Sequence, residues 1–471
     1  MAWNVLVLGG GFAGFTAARR LERRVPHQAA KVTLVNDVNF MLYTPLLPGA
    51  AGGTLEPRHV VVPLREELRS SELLLGHVTG ADPSRKVVNV QTAGGGKEEL
   101  PYDQLLVALG STSRTPPIPG LKEHAIGFKT LSEAIALRNR VVHAMEQAEH
   151  VEGEDARRAL LSFVVVGAGY AGLEGIAEMQ DFASDVVDLY PRCRMTGLRF
   201  TLVEARERVM GEIPAQLAEY ATAELRRRGI EVRTSTTVKQ VAADSLELSS
   251  GEVIPTRTVC WTAGVKPHPV VSRLGLPLTD DGRIDTDRFC QVAGFSDVWA
   301  VGDAAAVPDP ARRGQPSPPT AQHALRQAKV AADNLAGALG NGRRRPFRYR
   351  TLGVFVDMGR HQAVASTVGI KWRGFPAWFL ARSYHLALMP GTKRKLRLVV
   401  DWTVGLVFGR DASELGQLGH PPALDRSNVP SMDEAPGLDE GDFLQERTAG
   451  GTPTERPSGD GPQIDAESKS G

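Results

Sequence analysis

The chain has 471 residues, more than one ordinary hydrophobic core organises, so two or three domains are expected. Hydrophobic residues make up 42% and charged residues 23%, a globular balance that excludes fibrous and wholly disordered classes. The formal net charge of +1 leaves no overall basic excess for binding nucleic acid.

An apolar run, Val5 to Leu8, opens the chain and leads into Gly9-Gly10-Gly11-Phe12-Ala13-Gly14. A helical pattern (Phe15 to Leu21) and a second apolar strand (Val32 to Val35) follow. No charged head or cleavage site marks a signal peptide, and no window reaches the ~18 apolar residues of a spanning helix. The expected location is therefore the cytosol or the cytosolic face of a membrane. A buried strand around Leu105 to Leu109 ends at Gly110-Ser111, Thr115 to Gly120 is a rigid connector, and Leu131 to Met145 is helical.

The opening unit then recurs. Phe163 to Val166 precedes Gly167-Ala168-Gly169-Tyr170-Ala171-Gly172, then a helical pattern and the strand Phe200 to Val203. A glycine triplet alone is weak, but both copies have the strand before and helix after that dinucleotide binding requires. The first glycine permits the tight turn, the second lets a pyrophosphate approach the backbone, and the third lets helix and strand pack closely. Free N–H groups and the dipole at the helix start then receive the phosphates. At the end of the next strand, Glu204 suits a ribose diol and repels a 2′-phosphate, which favours NADH over NADPH. The first copy has Asn36 there, which still bonds a hydroxyl but carries no charge.

Glu174, just inside the second helix, lies near a nicotinamide on such a fold; it is either a proton-handling group or ordinary helix-dipole stabilisation. Cys193, Cys260 and Cys290 form no CxxC pair, which argues for a reducing compartment and against a metal centre or a dithiol. Cys260 is read as a small buried hydrophobe. Asp303 ends the apolar run Val298 to Val301 and either binds a polyol or caps a helix over Ala304 to Val307. A helix runs from Thr320 to about Leu335.

From Arg343 to Val400 there are 13 Lys/Arg against one acid, Asp357. Trp372, Trp378 and Trp402, half of the six tryptophans, lie among these basic residues. Aromatic and basic residues on amphipathic helices form an interfacial membrane anchor; the alternatives are a dimer interface or a core-covering helix pair. From Ala423 onward 11 acids face 4 bases, and the tail over 422–471 reads as disordered.

Taken together these motifs resemble the two-dinucleotide-binding flavoproteins, the pyridine nucleotide-disulfide oxidoreductase superfamily, and within them the type II NADH dehydrogenases. The similarity is carried further by Tyr43-Thr44-Pro45-Leu46-Leu47, Ala108-Leu109-Gly110-Ser111, Phe128-Lys129-Thr130-Leu131, Trp261-Thr262-Ala263-Gly264-Val265 and Pro318-Pro319-Thr320-Ala321-Gln322. The resemblance implies an α/β fold of two Rossmann-like domains, an FAD domain with an NADH domain inserted, plus a C-terminal amphipathic membrane-associating region. The expected boundaries are 1–120 and 291–342 for the FAD domain, 121–290 for the NADH domain and 343–415 for the membrane region. It further implies FAD on Gly9, Gly11, Gly14, Asn36, Gly110, Asp303 and Ala321, with NADH on Gly167, Gly169, Gly172, Glu204 and Gly264. Glu174 and Gln322 are the catalytic candidates, and no metal is expected.

The implied reaction carries hydride from NADH to flavin and two electrons on to a quinone, menaquinone or ubiquinone, without proton pumping. Peripheral attachment to the cytoplasmic face of the cell membrane and a homodimer are further expectations. The chain departs from the family at Asn36, at Arg326 (where a glutamine is usual) and in the extension Asp181 to Gly197. A reductase of a protein acceptor such as ferredoxin or rubredoxin, and a non-catalytic NADH sensor, are the alternative functions.

Overall fold

The computed structural model describes residues 2–349 and 353–414; the acidic tail expected over 422–471 lies outside the described residues. A seven-stranded sheet runs in the order Val298–Ala300, Gln104–Val107, Trp3–Leu8, Ala30–Asn36, Glu72–Asp82, Val87–Thr92, Lys97–Pro101. The first five strands are parallel and the last two turn back antiparallel. Val5 to Leu8 and Gln104 to Val107 are buried throughout, the continuous apolar pattern of parallel strands covered on both faces. Helix Phe12–Arg24 packs along helix Ala321–Ala338, where buried alanines such as Ala17, Ala18, Ala328 and Ala331 permit close approach.

A second, five-stranded parallel sheet has the order Ala125–Gly127, Thr258–Trp261, Ser162–Val166, Arg199–Val203, Ile230–Arg233. The chain enters and leaves this second body through two strands, Ser111–Ser113 and Val265–Pro267, that pair antiparallel with each other. The return comes earlier than the expected residue 291. Val271, Leu274, Leu276, Ile284 and Cys290 all pack into the first body's core, so the inserted body closes by about Val265. The composition of 265–290 carries no mark of this, because apolar residues in either core look alike. The extension Asp181 to Gly197 completes helix Tyr170–Val186 and adds a short helix, Pro191–Thr196, that buries Cys193.

The stretch expected to be a membrane-associating region begins instead as an antiparallel sheet of Gly353–Asp357, Ala363–Thr367 and Ile370–Arg373. Helices Phe375–Leu388 and Thr392–Val407 follow. The tryptophans do not form the outer face. Trp372 donates its ring N–H to Thr367 at 2.8 Å, and the Arg382 guanidinium stacks on Trp378 and Trp402 at 4.4 and 4.9 Å. Outward instead stand Phe375, Phe379, Leu396, Val400, Leu406 and Val407. The last helix is tied to the first body by Asp401, which lies 2.6 Å from His59 Nδ1. Among the described residues no helix is long and apolar enough to cross a membrane.

Candidate functional site

The two glycine loops are built alike, and the structure shows why each glycine stands where it does. Gly9 and Gly167 adopt φ of +95° and +102°, a left-handed conformation that glycine alone takes without strain. A Cβ on Gly14 would sit 1.8 Å from the Gly9 carbonyl oxygen, and one on Gly172 would sit 1.8 Å from that of Gly167. Around a Cβ on Gly11 or Gly169, by contrast, no atom beyond the adjoining residues lies within 4 Å, so those faces are open to a ligand. Each loop is tied to the end of the next strand. Gly10 N–H donates to Asn36 Oδ1 at 2.6 Å, and Ala168 N–H donates to Glu204 Oε2 at 2.6 Å. Asn36 thus does in the first loop what Glu204 does in the second, without the charge. Open glycine faces, helix N-termini and a polar strand end fit a dinucleotide in both bodies.

Asp303 does not cap a helix over Ala304 to Val307; Gly302–Ala304 is a single 3₁₀ turn. Its Oδ2 accepts from Ser111 Oγ at 2.6 Å, and Lys129 in turn donates to Ser111. Burial holds the Lys129 ammonium below its ordinary range, against the pull of Asp303 and Glu133. Lys129 lies inside a motif the sequence singles out, yet nothing there marks it as a partner for a carboxylate 174 residues away. Gly110 (φ +70°) and Gly264 (φ +92°) flank the two crossing strands rather than lining a loop of their own. Ala321 opens the helix whose Gln327 accepts the Gly302 N–H at 2.8 Å, so that helix start is fixed against the Asp303 turn.

The two catalytic candidates meet one strand. Gln322 Nε2 donates to Gly353 O at 3.1 Å, while the Asp357 N–H donates to Glu174 Oε1 at 2.9 Å. Strand Gly353–Asp357 therefore holds one candidate at each end. Tyr349 OH donates to Gln322 Oε1 at 2.6 Å, and the Arg326 guanidinium lies 4.3 Å over the Tyr349 ring. The arginine that replaces the usual glutamine thus joins the same polar wall. Burial, with Asp357 and Glu178 nearby, raises the Glu174 carboxyl well above the usual carboxylate range, which keeps it a candidate for proton handling. Pro45, Leu46, Glu174, Asp357, His385 and Trp402 are among the residues lining a cleft at this end of the strand.

All three cysteines are buried free thiols, and burial raises each of them, so Cys260 is the small hydrophobe expected and not a reactive group. Among the described residues no group of His, Cys, Asp and Glu is arranged to hold a metal.

Residues 3–328 match the family model described as pyridine nucleotide-disulphide oxidoreductase. The chain is 30% identical to a probable NADH dehydrogenase of Dictyostelium discoideum, over 87% of this chain and 91% of that protein. It is 31% identical to the type II NADH:quinone oxidoreductase Ndh of Mycobacterium tuberculosis, over 86% and 89%. In fold it resembles the structure of NDH2 from Plasmodium falciparum in complex with NADH, with a TM-score of 0.81 at 18% identity, covering 88% of this chain and all of that one.

Proposed function

Because the chain belongs to the pyridine nucleotide-disulphide oxidoreductase family, and within it to the type II NADH dehydrogenases, we propose that it transfers two electrons from NADH to a quinone by way of FAD. FAD supplies the hydride-accepting and electron-releasing chemistry that no side chain here has. Gly9, Gly11, Gly14 and Asn36 suit its pyrophosphate and ribose, with Gly110, Asp303 and Ala321 along the rest of the cofactor. Gly167, Gly169, Gly172 and Glu204 suit NADH, with Gly264 at the crossing between the bodies. The observation that carries the reading is strand Gly353–Asp357, which ties Gln322 and Glu174 to the two ends of one wall.

The first test is anaerobic stopped-flow on the flavin-loaded protein, reduced with NADH and then mixed with a soluble quinone analogue. Fast bleaching by NADH, slower bleaching by NADPH because Glu204 faces a 2′-phosphate, and fast reoxidation by the quinone are expected. Fast bleaching with sluggish reoxidation would overturn the quinone assignment and favour a protein acceptor.

We also propose that the protein rests peripherally on the membrane, through Phe375, Phe379, Leu396, Leu406 and Val407 with the exposed Lys371, Lys393 and Arg397 beside them. The three unpaired thiols suit the reducing, cytoplasmic side. The cleft next to Trp402 opens beside these same helices, where a lipophilic quinone arrives. Replacing Phe379 and Leu406 together by aspartate should weaken sedimentation with anionic vesicles by about a hundredfold or more, at ~1.5–3 kcal/mol per apolar side chain lost. Unchanged sedimentation would remove these helices from the membrane contact.

A further inference from the structure

We propose that His385 is a catalytic residue that contacts the quinone, its Nε2–H bonded to a carbonyl oxygen and its ring held in place by Tyr43. The proposal deepens the quinone reading above and rests on it. His385 lies on helix Phe375–Leu388, and Ala381 and Arg382, one turn earlier, line the same cleft, so one face of this helix forms the wall. Phe375 and Phe379, in the first two turns of the same helix, are exposed. The one helix thus carries exposed aromatic residues in its first half and His385 on the cleft in its second.

The proposal places the ring proton on Nε2, the tautomer in which Tyr43 donates to Nδ1. Tyr43 OH lies 3.3 Å from His385 Nδ1. Burial raises the Tyr43 phenol above its ordinary range, so it keeps its proton and, in the tautomer proposed, donates it to Nδ1. Burial likewise holds the imidazole down to about 4, which leaves the ring neutral at physiological pH, with its one proton on Nε2. Among the described residues Nε2 has no hydrogen-bond partner. Tyr43, Phe355 and Tyr384 surround the ring edge-to-face, with centroids 6.0, 6.4 and 5.4 Å away, so its orientation is set before any ligand arrives.

An oriented, uncharged donor in a cleft with apolar walls fits a neutral oxygen acceptor on a flat apolar molecule. Pro45, Leu46 and Trp402 supply the apolar walls, beside Glu174, Asp357 and Arg382. A quinone carbonyl has this chemistry, and the hydrogen bond strengthens as reduction puts charge on the oxygen. Reduction to quinol takes two electrons and two protons. The hydride of NADH brings two electrons and one proton, and solvent supplies the second proton. His385 ends each turnover as it began, because it lends a hydrogen bond and gives up no proton.

The test uses the full-length, FAD-loaded enzyme with menadione as the quinone probe, and follows the two half-reactions separately. In His385→Ala, reoxidation by menadione should slow by about a hundredfold, the usual cost of one such donor. Bleaching by NADH should stay within about twofold and flavin content should not change, since the donor acts only on the second half-reaction. Added imidazole should restore part of the lost rate. Tyr43→Phe keeps the donor and loses only the tautomer control, so its loss should be smaller and insensitive to imidazole.

Normal reoxidation in His385→Ala would overturn the proposal while leaving the quinone reading intact. Equal loss of both half-reactions together with flavin, or loss without imidazole rescue, would make His385 a structural residue and also overturn it. A wild-type enzyme that menadione fails to reoxidise would overturn the quinone reading itself.

Discussion

Replacing Gly11 with alanine is expected to strip the protein of flavin while leaving its fold intact. The two effects separate because of what surrounds the position. Gly11 has an ordinary φ of −71°, and no atom beyond the adjoining residues lies within 4 Å of an added Cβ, so the folded chain accommodates the methyl group. The space the methyl fills is the one a pyrophosphate needs to reach the loop N–H groups. Crowding there of about 1–3 kcal/mol weakens flavin binding by about ten- to a hundredfold. Gly14→Val makes the contrast, since its Cβ would lie 1.8 Å from the Gly9 carbonyl oxygen and the loop itself must move. Thermal melting of the flavin-free forms should show Gly11→Ala matching the parent and Gly14→Val falling well below it. Flavin retained per protein should be low in both. Full retention in Gly11→Ala would mean that this loop does not receive the pyrophosphate.

Arg228→Ala should produce the largest loss of stability in the molecule. The guanidinium is 1% exposed and so is the side chain of its partner Asp181. It also donates to Gln180 Oε1, to the Ala177 carbonyl at 2.7 Å and to the Met358 carbonyl, which joins helix Tyr170–Val186 to the C-terminal sheet. Asp181 faces Arg360 and Arg410 as well, yet burial, helped by the nearby Glu178, lifts its carboxyl to about 6 against three guanidinium groups. Stability drawn from this carboxyl therefore declines as pH rises toward 6. Removing one partner is a different matter, because an uncompensated charge and several carbonyls stay buried, at a cost of about 3–5 kcal/mol. For a folded unit of this size that lowers the melting temperature by roughly 3–6 °C. Arg228→Met combined with Asp181→Leu should recover part of the loss. A single variant that melts with the parent would show that water reaches the cluster.

The parts of this molecule that could be read from sequence are those whose partners lie close in the chain. Each glycine loop, its helix and its polar strand end fall within about 40 residues, and Asn36 and Glu204, expected at a cofactor ribose, each accept a hydrogen bond from the loop beside them. The cleft is different. Glu174 meets Asp357 across 183 residues, and Tyr43 meets His385 across 342, separations that no local pattern encodes. In the C-terminal stretch the density of positive charge hid the alternation of Val354, Val356 and Val364 that forms a sheet. Charge also misled about direction. Arg382 and Arg410 turn inward onto Asp357, Glu178 and Asp181, and the tryptophans follow them into the packing instead of facing outward.

The first sheet has a consequence for the order in which the chain takes shape during synthesis. Gln104–Val107 has Val298–Ala300 as its outer neighbour, and the whole inserted body lies between them in the chain. A ribosome working at about 5–20 residues per second needs roughly 10–40 s to cover that interval. Throughout it the host domain waits with one strand edge unpaired, while the guest emerges complete and closes on its own contacts. The guest is finished first, although it was begun second. A nascent chain held at about residue 290 should therefore present a closed nucleotide-binding body beside an exposed, aggregation-prone sheet edge, which marks this interval as the one in which a chaperone has most to protect.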